Sequence, residues 1–297
     1  MEKQPKVTCV MLNWNGWQDT LQCLAGIADV DYGALETIVV DNASSDDSVA
    51  RIRSAYPHIT VIESGSNLGF AGGNNLGIRR AMSEGSHYVW LLNNDTIPAP
   101  ESLRELVKKA EADMGLGAVG SVLYYPGVPE RIQAWGGGQI YSWIPYSTHA
   151  FSPKPDAWFE YLTAASMLVR CEALEDAGLL DEEFFLYWED TELCFRLRRH
   201  GWRLGVAAES RLVHRENGST RKLSRIREVQ FTASGIRFFN LTARIPRVSV
   251  AAFLALQITK SLLTGKWKKV PFILEGTRYA RARMRTLSVS SNGTKSA

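Results

Sequence analysis

Residues 88–96, YVWLLNNDT, decide the fold of this 297-residue chain. An apolar run that ends in a turn signal is typical of a β-strand covered on both faces. Ligands of open α/β sheets bind beyond the carboxyl ends of such strands. Asp95 stands there beside two asparagines, and one carboxylate suits a hard divalent cation that takes its other oxygens from water and a diphosphate. The alternative is that Asn94 and Asp95 cap the helix that follows Pro98 and Pro100.

Strands and helices alternate on both sides of this stretch. Further strands are predicted at residues 7–12, 36–40, 59–62 and 118–123, and helices at residues 18–27, 46–56, 67–82 and 101–112. Ser45 or Asp46 is predicted to cap the second of these helices. Alternation at this spacing predicts an α/β fold with a Rossmann-like, mostly parallel sheet.

The pattern changes beyond Pro126. Glycines 136–138 and several aromatic residues predict short strands that form a second wall. Further on, the sequence predicts a strand or strand–helix junction at 162–169, a helix at 190–200 closed by Gly201, a strand at 202–207 followed by a loop with His214, helices at 223–239 and 248–263, and a disordered tail after 287.

Composition excludes several classes of protein. Hydrophobic residues make up 45% of the chain and charged residues 22%, as in ordinary globular proteins. No apolar run reaches the about 20 residues that span a bilayer. Residues 1–6 lack the apolar core of a signal peptide, and the four cysteines have no metal-ligand spacing, so we expect reduced thiols in a cytoplasmic protein.

Polar residues follow several of the predicted strands. Asn13 follows the first strand, Asp41 the second, and Asn94 with Asp95 the fourth, while the glycine-rich stretch 67–75 lies between the third and fourth strands. These groups meet at one sheet edge and predict a nucleotide site. The glycine stretch follows the third strand rather than the first, which argues against a dinucleotide enzyme. The alternative is that the glycines of this stretch are present only because a turn requires them. The candidate binding residues of this stretch are Asn67, Gly69, Gly72 and Asn74.

Six segments in order resemble the motifs of inverting family 2 glycosyltransferases, which have the GT-A fold. They are NWNG (13–16), VVDNASSD (39–46), NLGFAGGNN (67–75), LLNNDT (91–96), DEEFFLYWED (181–190) and HRENGS (214–219). The resemblance covers residues 7 to 220 and is closest to rhamnosyltransferase-like enzymes of bacterial surface polysaccharide synthesis. It implies a GT-A domain at 1–220, whose halves 1–125 and 126–220 bind the nucleotide-sugar and the acceptor.

The resemblance also assigns roles on the donor side. Asp41 is expected to recognise the base or ribose. Asn94 and Asp95 stand at the metal-binding DxD-like motif, with Asp95 as the ligand, and His214 matches a histidine that ligates the metal or the diphosphate. A mixed Asp/His site accepts Mn²⁺ as well as Mg²⁺. The alternative for His214 is a surface-loop histidine.

On the acceptor side, Asp190 matches the family's general base. An inverting transfer needs such a base to take the proton of the acceptor hydroxyl. Trp188 and Glu189 precede it, and we expect the aromatic residue to contact a sugar face. The alternative is that Glu189 and Asp190 only cap and charge a helix. Trp135 and Ala164 are expected to line the sugar and acceptor pocket.

The C-terminal segment is strongly basic. Residues 241–297 hold eleven Lys and Arg but one acidic residue, Glu275. An apolar helical face followed by Lys266, Lys268 and Lys269 with Trp267 is typical of an interfacial helix. We therefore expect residues 246–287 to meet the anionic inner face of the plasma membrane, within a basic helical segment at 221–287. The alternatives are packing on the catalytic domain or on a second subunit, and no nucleic-acid-binding motif is present.

The resemblance therefore predicts a metal-dependent, inverting transfer of a sugar, with L-rhamnose from dTDP-rhamnose favoured, to a hydroxyl of a polyprenyl-linked glycan. A UDP-hexose or galactofuranose donor is the first alternative. A non-catalytic nucleotide-sugar-binding partner is the second, although Asp95, Asp190 and His214 are all present. A sugar nucleotidyltransferase would carry a basic glycine-rich loop after the first strand, and residues 13–16 differ from that. The sequence leaves the oligomeric state open.

Overall fold

The computed structural model describes residues 4–128, 131–141, 146–215 and 224–293. The chain divides into two compact units. The first, here called the sheet unit, comprises Met1–Ile140, Ser147–Glu183 and Glu189–Ser219, and the second, the helical unit, comprises Tyr141–Tyr146, Phe184–Trp188 and Thr220–Ala297. The predicted domain boundaries remain predictions.

The sheet unit contains twelve strands and six helices within the described ranges. The strands are β1 (Val7–Asn13), β2 (Leu35–Asp41), β3 (Thr60–Glu63), β4 (Tyr88–Asn93), β5 (Thr96–Pro98), β6 (Leu116–Tyr124), β7 (Ile132–Trp135), β8 (Gly137–Tyr141), β9 (Tyr146–His149), β10 (Tyr161–Leu162), β11 (Ser166–Arg170) and β12 (Arg203–His214). The helices are α1 (Trp17–Ala28), α2 (Ser48–Ala55), α3 (Gly69–Ser83), α4 (Ser102–Glu111), α5 (Cys171–Ala177) and α6 (Glu189–Arg199). Tyr141 at the end of β8 and Tyr146 at the start of β9 are assigned to the helical unit.

The main sheet confirms the predicted α/β class. Its strand order is β3-β2-β1-β4-β11-β6-β12-β5, and β7 pairs with β6. The pairs β3–β2, β2–β1, β1–β4 and β6–β12 are parallel. β4 is apolar and buried along nearly all its length, because sheet neighbours flank it and helices cover it. β8, β9 and β10 form a separate three-stranded sheet where the sequence predicted short strands.

β11 is antiparallel to both β4 and β6, which makes the mostly parallel sheet mixed at its centre. Three local expectations are corrected. β12 runs to His214, which therefore ends a strand rather than lying in a loop. The helix predicted from residue 46 begins at Ser48 as α2, and the Asp46 carboxylate accepts a hydrogen bond from the Ser48 amide. The strand β5 separates Asp95 from α4, so Asn94 and Asp95 do not cap that helix.

Close packing of α3 on β1 positions the glycine-rich stretch. A Cβ atom on Gly73 would lie 2.4 Å from Leu12 Cδ1, and one on Gly77 would lie 2.5 Å from Val10 Cγ1. Only glycine therefore lets the helix backbone approach the strand this closely. All four cysteines are free thiols and are buried.

The helical unit contains α7 (Ser224–Thr242), α8 (Pro246–Leu263) and α9 (Val270–Gly293). Its core holds an aromatic cluster in which Trp188 contacts Phe231, Phe238, Phe239 and Phe253 at ring-centroid distances of 5.0–5.8 Å. Residues 288–293 are helical, which corrects the predicted disordered tail, and 294–297 lie outside the described residues. Within the described ranges, no helix combines the length and apolar character needed to cross a membrane.

Candidate active site

A carboxylate and an imidazole face each other at the edge of the main sheet. Asp95 follows β4, and His214 ends β12, which pairs with β5 so that His214 lies opposite Thr96. The Arg215 amide donates a hydrogen bond to the Asp95 carbonyl at 3.0 Å and holds the two segments together. His214 Nε2 lies 3.2 Å from Asp95 Oδ1, and these side chains are 14% and 7% exposed.

This pair fits a divalent cation that a substrate helps to coordinate. The other ring nitrogen of His214, Nδ1, lies 2.7 Å from Gln133 Oε1, which leaves Nε2 directed at the carboxylate. Among the described residues, no group of three or more His, Cys, Asp or Glu side chains forms a complete metal site. Two protein ligands are nevertheless enough for Mg²⁺ or Mn²⁺, because such ions take their remaining oxygens from water and phosphate.

Asp41 lies at the centre of a hydrogen-bond network that joins the ends of three strands. Its Oδ1 accepts hydrogen bonds from Asn13 Nδ2 at 2.8 Å and Ser44 Oγ at 2.6 Å, and its Oδ2 accepts one from the Ser44 amide. Thr20 Oγ1 donates to Asn13 Oδ1 at 2.8 Å, and Asn94 Nδ2 donates to Thr20 Oγ1 at 2.9 Å. The predicted residues Asn13, Asp41 and Asn94 therefore meet, through Thr20.

The glycine-rich stretch is held by asparagine side chains. Asn67 Oδ1 accepts hydrogen bonds from the Gly69 amide and from Asn42 Nδ2, both at 3.0 Å. Gly69 has φ +73°, a left-handed conformation that favours glycine at the start of α3. Asn74 donates to the Phe70 carbonyl within the helix. A Cβ on Gly72 would lie 2.9 Å from Leu68 Cβ, so Gly72 serves close packing at this turn.

The Asp190 carboxylate is half-buried in the first turn of α6. Oδ1 accepts hydrogen bonds from the Thr191 amide at 2.6 Å and hydroxyl at 3.1 Å, and Oδ2 accepts one from the Ala164 amide at 3.1 Å. Burial raises the pKa of Asp190, while these hydrogen bonds and the nearby His149 oppose the rise. The positive end of the helix also favours the ionised form.

Glu189 differs from its neighbour in its surroundings. Burial and the adjacent Asp190 raise the pKa of Glu189 well above its ordinary value. Its Oε2 is buried and has no hydrogen-bond partner among the described residues. An ionised carboxylate with a buried, unpartnered oxygen is costly, so Glu189 is expected to keep its proton while Asp190 ionises.

A short hydrogen-bonded path connects Asp190 to the end of β4. The Ala164 amide donates to Asp190 Oδ2, and the carbonyl of the next residue, Ala165, accepts a hydrogen bond from the Asn93 amide at 3.1 Å. Asp95 follows Asn93 by two residues. The path brings the predicted base to the sheet edge that carries the Asp95–His214 pair.

A model of one protein family matches residues 8–176, more than half of the chain, under the description glycosyl transferase family 2. The chain belongs to glycosyl transferase family 2. It is therefore a glycosyltransferase that acts on nucleotide sugars in glycan biosynthesis, in agreement with the resemblance noted in its sequence.

Individual proteins similar to this family 2 glycosyltransferase are also named as glycosyltransferases. The low-salt glycan biosynthesis hexosyltransferase Agl10 of Haloferax volcanii is 27% identical over 217 residues, covering 71% of this chain and 67% of Agl10. The N-acetylglucosaminyl-diphospho-decaprenol L-rhamnosyltransferase of Mycobacterium tuberculosis is 25% identical over 224 residues, covering 66% of this chain and 72% of that protein. The structure of the mannosyltransferase PcManGT from Pyrobaculum calidifontis with GDP-Man and Mn²⁺ has a TM-score of 0.60 at 18% identity, covering 99% of this chain and 81% of PcManGT, and shows the shared fold.

The structure revises the expectation for the aromatic residues of the glycosyltransferase. Trp188 is 5% exposed and packs in the aromatic cluster of the helical unit, so its ring has no open face for a sugar. Trp135 ends β7, where its amide donates to the Ala150 carbonyl, and its side chain is half-buried. Ala164 is buried and acts on Asp190 through its backbone amide.

Three further polar residues of the site were not predicted from the sequence. Gln133 contacts His214, Thr20 joins Asn13 to Asn94, and His149 lowers the pKa of Asp190. Each of the three is either distant in sequence from the motif that it contacts or has no local pattern that distinguishes it from an ordinary helix or strand residue, so the sequence carries no signal for it. Residues 216–219 of the last predicted motif lie outside the described residues.

Proposed function

We propose that this family 2 glycosyltransferase is a metal-dependent, inverting enzyme that transfers L-rhamnose from dTDP-rhamnose to a hydroxyl of a lipid-linked glycan. The observation that supports the proposal is the path from Asp190 through Ala164 and Ala165 to Asn93, because it connects the Asp190 carboxylate to the end of β4, the strand that leads to Asp95 and the Asp95–His214 pair. The mycobacterial relative, named a diphospho-decaprenol rhamnosyltransferase, supports the donor and the lipid carrier.

Asp190 acts as the general base in this mechanism. The acceptor hydroxyl oxygen attacks the anomeric carbon, and the bond between that carbon and the diphosphate oxygen breaks with its electrons going to the diphosphate. The hydroxyl proton moves to the Asp190 carboxylate. A raised pKa brings the carboxylate closer to the basicity that proton transfer near neutral pH requires. Attack opposite the leaving group inverts the anomeric centre.

Asp95 and His214 would hold Mg²⁺ or Mn²⁺ through Oδ1 and Nε2. When bound, such an ion supplies charge that stabilises the departing diphosphate. Asp41 is proposed to recognise the base or ribose, near the glycine-rich stretch with Asn67 and Asn74. Three contacts already hold the Asp41 carboxylate, which orients it before any nucleotide arrives.

A UDP-hexose donor is the second candidate. The relative from Haloferax volcanii is named a hexosyltransferase and is somewhat more similar in sequence than the rhamnosyltransferase. Release of nucleoside diphosphate from a panel of dTDP-, UDP- and GDP-sugars, with Mg²⁺, Mn²⁺ or EDTA, separates the candidates. We expect metal-dependent release from dTDP-rhamnose and none from Asp95→Ala. Release from a UDP-hexose alone would select the second candidate, and release unaffected by EDTA would refute metal dependence.

We further propose that the helical unit docks on an anionic membrane. The side chains of Leu263 and Trp267 are 83% and 62% exposed, and Lys266, Lys268 and Lys269 surround the tryptophan. Exposed apolar side chains among lysines suit an interface where rings enter the headgroup region and ammonium groups meet acidic lipid.

Co-sedimentation with vesicles tests the membrane contact. The double variant Leu263→Ser, Trp267→Ser should release the protein from vesicles that contain phosphatidylglycerol, because it removes most of the apolar insertion. Met114→Ser is the matched control, since Met114 is a similarly exposed apolar residue of the sheet unit. Unchanged binding of the double variant would contradict the proposal.

A further inference from the structure

Gln133 occupies an irregular position in the main sheet. β7 is antiparallel to β6, with Ala134 opposite Leu123 and Ile132 opposite Tyr124, so the register shifts between these pairs. Gln133 is the extra residue of this β-bulge. Bulges are often found beside active sites, where they redirect a side chain. β12 lies along the other edge of β6, and its Val213 is opposite the same Tyr124. His214 is the next residue of β12, so it lies across β6 from the bulge.

The redirected amide contacts His214 twice. Gln133 Oε1 lies 2.7 Å from Nδ1 of the ring, and Gln133 Nε2 donates to the backbone carbonyl of His214 at 3.5 Å. The second contact orients the amide, because its nitrogen points at an acceptor. Its oxygen therefore faces Nδ1, and an amide oxygen can only accept a hydrogen bond. A hydrogen bond at this distance therefore requires the tautomer with the proton on Nδ1, and the Gln133 side chain that accepts it is buried.

We propose that Gln133 is a positioning residue that fixes the ring orientation of His214, with Nδ1 directed at its amide oxygen, so that Nε2 is presented to a divalent cation beside Asp95. The inference rests on the metal site of the proposed function. A histidine ligand commonly donates its other N–H to a carbonyl or carboxylate, which orients the ring and increases its basicity. Gln133 supplies that acceptor, and its bond to the His214 carbonyl couples the ring to the end of β12.

Binding of Mn²⁺ alone, and of Mn²⁺ with dTDP or UDP, provides a readout that does not require turnover. Gln133→Met removes both hydrogen bonds at similar length and should weaken Mn²⁺ binding about 10–100-fold, measured by electron paramagnetic resonance. Gln133→Glu keeps an acceptor for Nδ1–H but loses the hydrogen bond to the His214 carbonyl, so it should bind Mn²⁺ more tightly than Gln133→Met. Gln139→Met is the control, because Gln139 is an amide of β8 that bonds the Trp158 carbonyl instead.

Equal Mn²⁺ affinity of Gln133→Met and Gln139→Met would overturn the inference and leave the metal site intact. Absence of Mn²⁺ binding to the unmodified protein would instead contradict the proposed function. A measurement without any Gln133 variant is the ¹⁵N spectrum of histidine-labelled protein with Mg²⁺ and nucleotide, in which His214→Gln identifies the signal. We expect a protonated Nδ1 and an unprotonated Nε2, and the reverse assignment would refute the role of Gln133.

Discussion

Replacement of Asp190 by asparagine isolates the proposed proton transfer. The asparagine oxygen can keep the two hydrogen bonds from Thr191, and its NH₂ group then faces the Ala164 amide, which also donates. An unsatisfied buried donor costs about 1–3 kcal/mol. Removal of a buried charge next to Glu189 offsets this cost. We therefore expect the variant to fold with a free energy of unfolding within about 2 kcal/mol of the original.

The expected loss of rate is much larger. A positioned general base contributes about 10²–10⁴-fold, which corresponds to about 3–5 kcal/mol of activation free energy. Asparagine cannot accept the proton, so kcat should fall by this factor while the affinity for the nucleotide-sugar stays within about threefold. The two effects are separated by measuring kcat with the donor identified in the panel and Kd by calorimetry.

Asp176→Asn is the matched control, since Asp176 is a carboxylate of α5 that accepts a hydrogen bond from Trp202 Nε1 at 2.9 Å. It should leave both constants unchanged. If Asp190→Asn retained more than a tenth of the original kcat, or lost donor affinity by the same factor as the rate, Asp190 would not be the base. A cooperative urea transition for each variant establishes that folded proteins are being compared.

Two further predictions concern pH and packing. Burial raises the pKa of Asp190, and the base must be ionised to act. We therefore expect kcat/KM to fall as pH drops through an apparent pKa above the ordinary aspartate range, and this acidic fall should be absent in Asp190→Asn. A value of kcat/KM independent of pH between 4 and 7 would contradict the role of Asp190 as the base. Gly77→Ala gains about 1 kcal/mol of helix propensity but overpacks Val10 at a cost of about 1–3 kcal/mol. Urea unfolding should thus show a loss of up to about 2 kcal/mol in the free energy of unfolding. A Cβ on Gly33 would meet only the flexible Gln4 side chain, at 3.4 Å, so Gly33→Ala should change stability by less than about 0.5 kcal/mol. Equal stabilities of the two variants would refute the packing argument.

The sequence alone predicted the architecture and the glycosyltransferase family. Apolar runs that end in polar triplets are local signals, so β1, β2 and β4 and the residues after them could be identified from the chain. The carboxyl ends of parallel strands meet at one edge, which is why Asn13, Asp41 and Asn94 were expected together. The fold and the family membership agree with these predictions.

Tertiary structure decided the contacts between segments that are far apart in the chain. β11 enters the sheet antiparallel to β4, and a bulge in β7 carries Gln133 to His214; both depend on pairing partners that no local pattern specifies. Trp188 was expected to contact a sugar face because it precedes Asp190 closely in the sequence, yet its ring packs among phenylalanines. Residue type and spacing therefore determine which groups can do the chemistry, while long-range packing determines which of them face one another, because burial and orientation are properties of the assembled chain.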